Sequence, residues 1–196
     1  MFKQPNTIED VEIKTQSLVN EFKNGFQYEE TETPSQLTLE VNKQIEGGSY
    51  SIYSTILETG SEDEPNPILL IIYRPYFETS QIRAFASKLT NSALKDEIKI
   101  IQDKGISRSR TVLIADMRDV TVDPTPISLE NGELFSTVLE MVVCEYLIMK
   151  NKSAGNLFSQ LIKDAPTKII KSKPGSIISF ADPSSAGANL RSLLKE

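Results

Sequence analysis

The run Val112-Leu-Ile-Ala115 is unbroken in apolar character and stops abruptly at Asp116. Ile68-Leu-Leu-Ile-Ile-Tyr73 is a second continuous apolar run, bounded before it by the turn-rich Pro65-Asn-Pro67. Runs of this length without polar alternation suit strands buried on both faces. The Val112 strand is also fed by a helical stretch, so it is expected to lie parallel to a neighbour. These constraints point to an α/β (or α+β) fold: a mixed sheet with an N-terminal antiparallel three-strand meander, a central buried strand ending at Asp116, and packing helices.

The remaining segments fit around that strand. Thr7-Ile-Glu-Asp10 places a carboxylate three residues after a Thr, and Val11, Leu18, Phe22 and Phe26 follow at helical spacing, so a capped amphipathic helix is expected over 7–26. Residues 29–35 form an acidic connection. Leu37, Leu39 and Val41 alternate with polar residues, Gly47-Gly48 supplies a tight turn, and Tyr50, Ile52 and Ile56 resume on one face, which predicts a hairpin that Ile68–Tyr73 extends to a meander. A helix capped by Thr79 or Ser80 is expected through Ile82, Phe85, Ala86, Leu89 and Ala93 to Gly105, with a kink where its apolar face shifts near Leu94. Residues 120–131, with Asp123-Pro124 and Thr125-Pro126, read as a loop. The long apolar stretch 132–151 reads as a buried helix. Leu157, Phe158, Leu161 and Ile162 mark a short helix, 168–170 and 176–180 short strands, and Asp182-Pro183 the cap of a terminal helix bearing Ala186, Leu190 and Leu193. A single domain is expected over 1–196, with 1–35 as helix and connection and 36–196 as the mixed-sheet core.

Composition narrows the partners. A net charge of -6 argues against a polyanion-binding surface, which needs clustered Lys and Arg, so nucleic acid is not an expected partner. The one cysteine, Cys144, sits in an apolar segment and reads as a buried inert thiol in a reducing compartment. Met1 opens onto Phe-Lys-Gln-Pro-Asn, without the apolar core of a secretory signal, and the longest apolar segment is broken by Glu140 and Glu145. A cytoplasmic protein without membrane contact is the expectation.

The absence of His excludes Ser-His-Asp and Cys-His catalysis and His-dependent zinc sites. No Gly-rich phosphate-binding loop occurs, and no cofactor is expected. Helix, three-strand meander, helix and strand is also the order found in restriction-like nucleases, which need paired carboxylates and a Lys on the central strands of the meander. The Glu-x-Lys triplets here begin at Glu12, Glu21 and Glu97, all in predicted helices, and the third strand offers Ile71-Ile-Tyr-Arg74 instead. Asp116 and Asp119 remain the acids best placed for a metal or ligand, since side chains at the C-terminal ends of parallel strands often line sites. The alternative is that they solvate the turn and pair with Arg118 or Arg110. Arg74 is read as a surface charge closing a strand or as one wall of an anion site. Glu62-Asp-Glu64 lacks the spacing of a calcium loop and reads as solvated.

From Ile68 onward the order of parts resembles the STAS and anti-sigma-factor-antagonist-like superfamily. The residues that carry it are Val112-Leu-Ile-Ala-Asp116 and the ending Ile177-Ile-Ser-Phe-Ala-Asp-Pro-Ser-Ser-Ala-Gly-Ala-Asn-Leu-Arg-Ser-Leu-Leu194. The phosphoregulated branch has Asp-Ser-Ser or Asp-Ser-Thr where this chain has Asp123-Pro-Thr-Pro-Ile-Ser128, so no switch serine carries over. The resemblance implies a non-catalytic domain that docks to a protein partner or to itself. On the apolar 132–151 stretch, Val138, Met141, Val142 and Glu145 are the candidates for such an interface, if that stretch is not core. Two other readings stay open at this stage: a metal-dependent enzyme or small-ligand binder using the strand-end acids, and a structural subunit of a phage or other assembly.

Overall fold

The computed structural model describes residues 7–77, 81–83, 88–118, 121–123, 129–150 and 177–195. Thr7 caps α1 (Ile8–Phe26), its Oγ1 accepting from the Asp10 amide at 3.2 Å, with Glu9 and Asp10 in the first turn where the helix dipole favours negative charge. Leu18, Val19, Phe22 and Phe26 are the buried stripe. The meander follows as β1 (Thr38–Ile45), β2 (Gly48–Leu57) and β3 (Ile68–Phe77), each antiparallel to the one before. Gly47 turns the hairpin at φ 93°, and a Cβ on Gly48 would stand 2.0 Å from the Tyr76 carbonyl oxygen, so both positions require glycine.

β5 (Thr111–Asp116) lies parallel to β3, as the buried run requires, with Leu70 beside Val112 and Ile72 beside Ile114. β7 (Cys144–Ile148) and β8 (Ile177–Phe180) extend the sheet in parallel, giving the order β1-β2-β3-β5-β7-β8. Short strands β4 (Gln81–Arg83) and β6 (Thr121–Asp123) pair separately. The fold is α/β, with an antiparallel meander feeding a parallel half.

Strand alternation sends side chains to two cores. Leu69, Ile71, Leu113, Ala115 and Leu147 meet α2 (Lys88–Lys104) and α3 (Leu129–Met141) on one face. Leu70, Ile72, Val112, Ile114, Tyr146 and Ile148 meet α1 and the terminal helix α4 (Pro183–Leu194) on the other. α1 and α4 approach with backbone against backbone: a Cβ on Gly25 would lie 1.8 Å from the Ser184 oxygen, and one on Gly187 2.1 Å from the Phe22 oxygen. Asp182 caps α4 through the Ser185 amide at 2.8 Å, with Pro183 at the first helical position.

Along the open edge, α2 runs antiparallel to β1 and is tied to it by Lys88–Glu46, Lys43–Asp96 and Lys104–Glu40 ion pairs at 3.0, 2.7 and 2.7 Å. A β-bulge between Leu39 and Val41 accompanies the reach of Glu40 to Lys104 and Ser54. Bulge and lysine together are devices that discourage another strand from adding to an edge.

Four expectations need correction. The helix expected over 132–151 is two elements: α3 ends at Met141 and β7 begins at Cys144. A continuous apolar run does not distinguish a buried helix from a buried strand, and here Val143 N bonds Thr111 O at 2.9 Å while Arg108 Nε caps the Val142 carbonyl at 3.1 Å. The stretch expected to be helical from Thr79 or Ser80 is extended at Gln81–Arg83, and the helix is described from Lys88 onward, with Phe85 and Ala86 outside the described residues. α2 passes through Leu94 unbroken, because Leu89, Ala93, Leu94, Glu97, Ile100 and Ile101 span an arc of about 140° at helical spacing, and all are buried against the sheet and α3. The 120–131 loop contains β6 and the start of α3. The expected elements at 157–162 and 168–170, and the caps Thr79 and Ser80, lie outside the described residues.

Candidate functional site at the end of the central strand

Alternation along β5 puts Val112, Ile114 and Asp116 on the α1/α4 face, and along β3 it puts Leu70, Ile72 and Arg74 there. The parallel register pairs Tyr73 with Ala115, so Arg74 and Asp116 are neighbours. Arg74 Nη1 donates to Asp116 Oδ2 at 2.5 Å. Arg118 closes the other side, Nε donating to Oδ1 at 2.8 Å, Nη2 to Oδ2 at 2.9 Å and its amide to Oδ1 at 3.3 Å. Asp116 is 6% exposed, so these charge-assisted bonds replace nearly all its hydration.

Both oxygens of Asp116 are thus engaged by guanidinium groups. A divalent cation there would have to displace two arginines, and among the described residues no group of three His, Cys, Asp or Glu could hold a metal. Asp119 lies outside the described residues. Arg110 stands at the other end of β5, where it donates to Thr59 Oγ1 at 2.5 Å and Asn66 O at 2.6 Å; of the two arginines expected near Asp116, only Arg118 pairs with it. Arg74, read from sequence as a surface charge or an anion wall, is the second partner. Nearby on the same face, burial pushes the Tyr53 phenol up, Glu12 adds to the shift and Arg74 opposes it.

Glu12 and Glu21 lie on α1 and Glu97 on α2, so none of the Glu-x-Lys triplets is on the meander. β3 carries Ile71, Ile72, Tyr73 and Arg74 where a nuclease would carry its carboxylate and lysine. Away from Asp116, a depression of about 760 Å³ opens at the far end of β2 between Thr31, Ser35, Ser54, Glu62 and Lys104. Burial of the Glu40 carboxyl would raise its pKa, but hydrogen bonds from Lys104 and Ser54 outweigh it and hold the group below the usual range.

Three of the four interface candidates are buried within the chain. Val138 and Val142 are fully buried in the α2/α3 core, Met141 is half-buried beside it, and Glu145 is 4% exposed on β7, not on a helix. Cys144 is buried, and burial pushes its thiol up to about 12. Sequence reasoning treated Glu97 as a member of a surface pair, and Glu145 as a break in an apolar run and an interface candidate; neither was read as a buried acid. The available signal was that each stands inside a buried pattern, between Ala93 and Ile101 on α2 and between Cys144 and Leu147 on β7. No helix among the described residues is long and apolar enough to cross a membrane. Comparison of the chain with protein-family models, with curated proteins and with solved structures finds no match.

Proposed function

We propose that this chain is a non-catalytic interaction or regulatory domain that acts through protein–protein contacts. The observation that carries this reading is the double occupation of Asp116 by Arg74 and Arg118, which turns the acid best placed for chemistry into an internal counter-ion. The STAS-like order of parts from Ile68 onward points the same way. The contact surface is assigned to the α1/α4 layer: the large apolar side chains most exposed among the described residues are Ile8 and Ile13 on α1, Leu193 on α4, and Leu39 on the strand face that pairs with Tyr53. Partner or second copy would cover that layer, leaving the α2/α3 core intact.

A photo-crosslinking amino acid placed at Ile13 tests this in the protein's own host, with Lys99 on the exposed side of α2 as the control. A discrete adduct from position 13 and none from position 99 is expected, its mass distinguishing a second copy from another protein. Equal labelling at both positions, or none at either, would remove the proposal.

A further inference from the structure

On the α2/α3 side of the sheet two glutamates are buried in an apolar core: Glu97 of α2, 2% exposed, and Glu145 of β7, 4% exposed. The Oε2 atom of each has no hydrogen-bond partner, and among the described residues no lysine or arginine pairs with either. Leaving a carboxylate ionised in such a setting is costly, and two within electrostatic reach of one another make it more so. The described residues around them offer no compensating charge. β2 and β3 present the phenols of Tyr50 and Tyr73, whose rings meet edge-on at 6.1 Å. β5 presents Leu113 and Ala115, α3 presents Phe135, Val138 and Leu139, Val142 follows it in the turn to β7, and β8 presents Ile177. Cys144 precedes Glu145 on the other face, and Asp96 precedes Glu97 but turns outward to Lys43 and the Tyr50 hydroxyl.

We propose that Glu97 and Glu145 form a proton-dependent latch that holds the inner side of α2 against α3 and the sheet only while the pair is protonated. The outer side of α2 is fastened separately, by its ion pairs to Glu46, Lys43 and Glu40 of the β1 hairpin. Deprotonation therefore loosens α2 on one side, with the β1 edge as the hinge. Burial places the Glu145 carboxyl at about 8, and burial with repulsion from Glu145 and Asp96 raises Glu97 well above the usual carboxylate range, which sets the transition above neutrality.

Native-state hydrogen exchange of the α2 amides, corrected for intrinsic rates and recorded at pH 6 and pH 9, tests this. In the wild type, protection at Ile98, Ile100 and Ile101 is expected to fall at least tenfold, by our proposal, while the Glu97→Gln/Glu145→Gln double variant stays flat. An equal fall in the double variant, a flat wild type, or suppression of the wild-type fall by Mg2+ would overturn the latch, the last by assigning the pair to a cation. Should the double variant not fold, the infrared carbonyl stretch of a protonated carboxyl in the wild type decides: its presence at pH 6 and loss by pH 9 is expected, and its absence at pH 6 overturns the proposal.

Discussion

Arg74 and Asp116, 42 residues apart in the chain, stand side by side on parallel strands with Nη1 and Oδ2 2.5 Å apart. Their side chains are 12% and 3% exposed, so the pair is largely removed from water, and Arg118 at 33% supplies the wetter half of the cluster. Removing one member of such a pair leaves the other charge buried and uncompensated. Asp116→Ala is expected to lower unfolding stability by about 3 kcal/mol. A double-mutant cycle with Arg74→Met, read by urea denaturation, should show a coupling of at least ~1 kcal/mol. Additive effects would mean that the contact is only proximity.

The α1/α4 contact depends on two glycines. Adding a Cβ at Gly187 or Gly25 forces it into the backbone of the opposing helix, where no rotamer change can relieve the overlap. Gly187→Ala should cost about 2 kcal/mol or more and increase hydrogen exchange in both helices. Gly105, which has an open Cβ position at φ 64°, is the contrast, with a smaller cost arising from backbone conformation alone.

Val142 and Met141 separate core from surface at the C-terminal end of α3. Val142→Glu buries a charge in a fully enclosed site and is expected to cost more than ~4 kcal/mol, enough to unfold a marginal domain. Met141→Glu has a half-buried side chain from which the carboxylate can reach water, so circular dichroism should still show a folded protein. Unfolding of both variants alike would place Met141 in the core as well.

Stability against pH carries two signs. Glu145, raised in the fold from 4.5 to about 8, contributes stability that is complete below pH 4.5 and is lost as pH rises to about 8. Glu40, held below its ordinary value by Lys104 and Ser54, contributes stability that is present above pH 4.5 and is lost on acidification. Urea midpoints measured from pH 3 to pH 9 should therefore fall at both ends. Glu145→Gln should flatten the alkaline limb, and Glu40→Gln the acid limb.

What the sequence made legible was local. The cap at Thr7, the turn at Gly47-Gly48, the meander and the Asp182-Pro183 cap each rest on residues a few positions apart, and each is where the pattern puts it. The α3/β7 break was hidden because Val142, Val143 and Cys144 are apolar whether helical or extended; only the bond from Val143 to Thr111 settles the conformation. The site was half legible for the same reason. Asp116 was readable as the acid ending a buried strand, and Arg118 as a neighbour two residues on. Arg74 was read as a charge of its own, because its place beside Asp116 comes from the parallel register of β3 and β5. The buried glutamates were obscured by their type, since Glu at helical spacing usually marks a solvated face.

The engagement of Asp116 by two arginines is tested most directly by calorimetric titration of the wild-type protein with Mg2+ and then Mn2+, repeated with Asp116→Asn. Heats equal to dilution are expected for both proteins with both ions. A saturable heat in the wild type that Asp116→Asn abolishes would contradict the counter-ion role and make the end of the central strand a metal site.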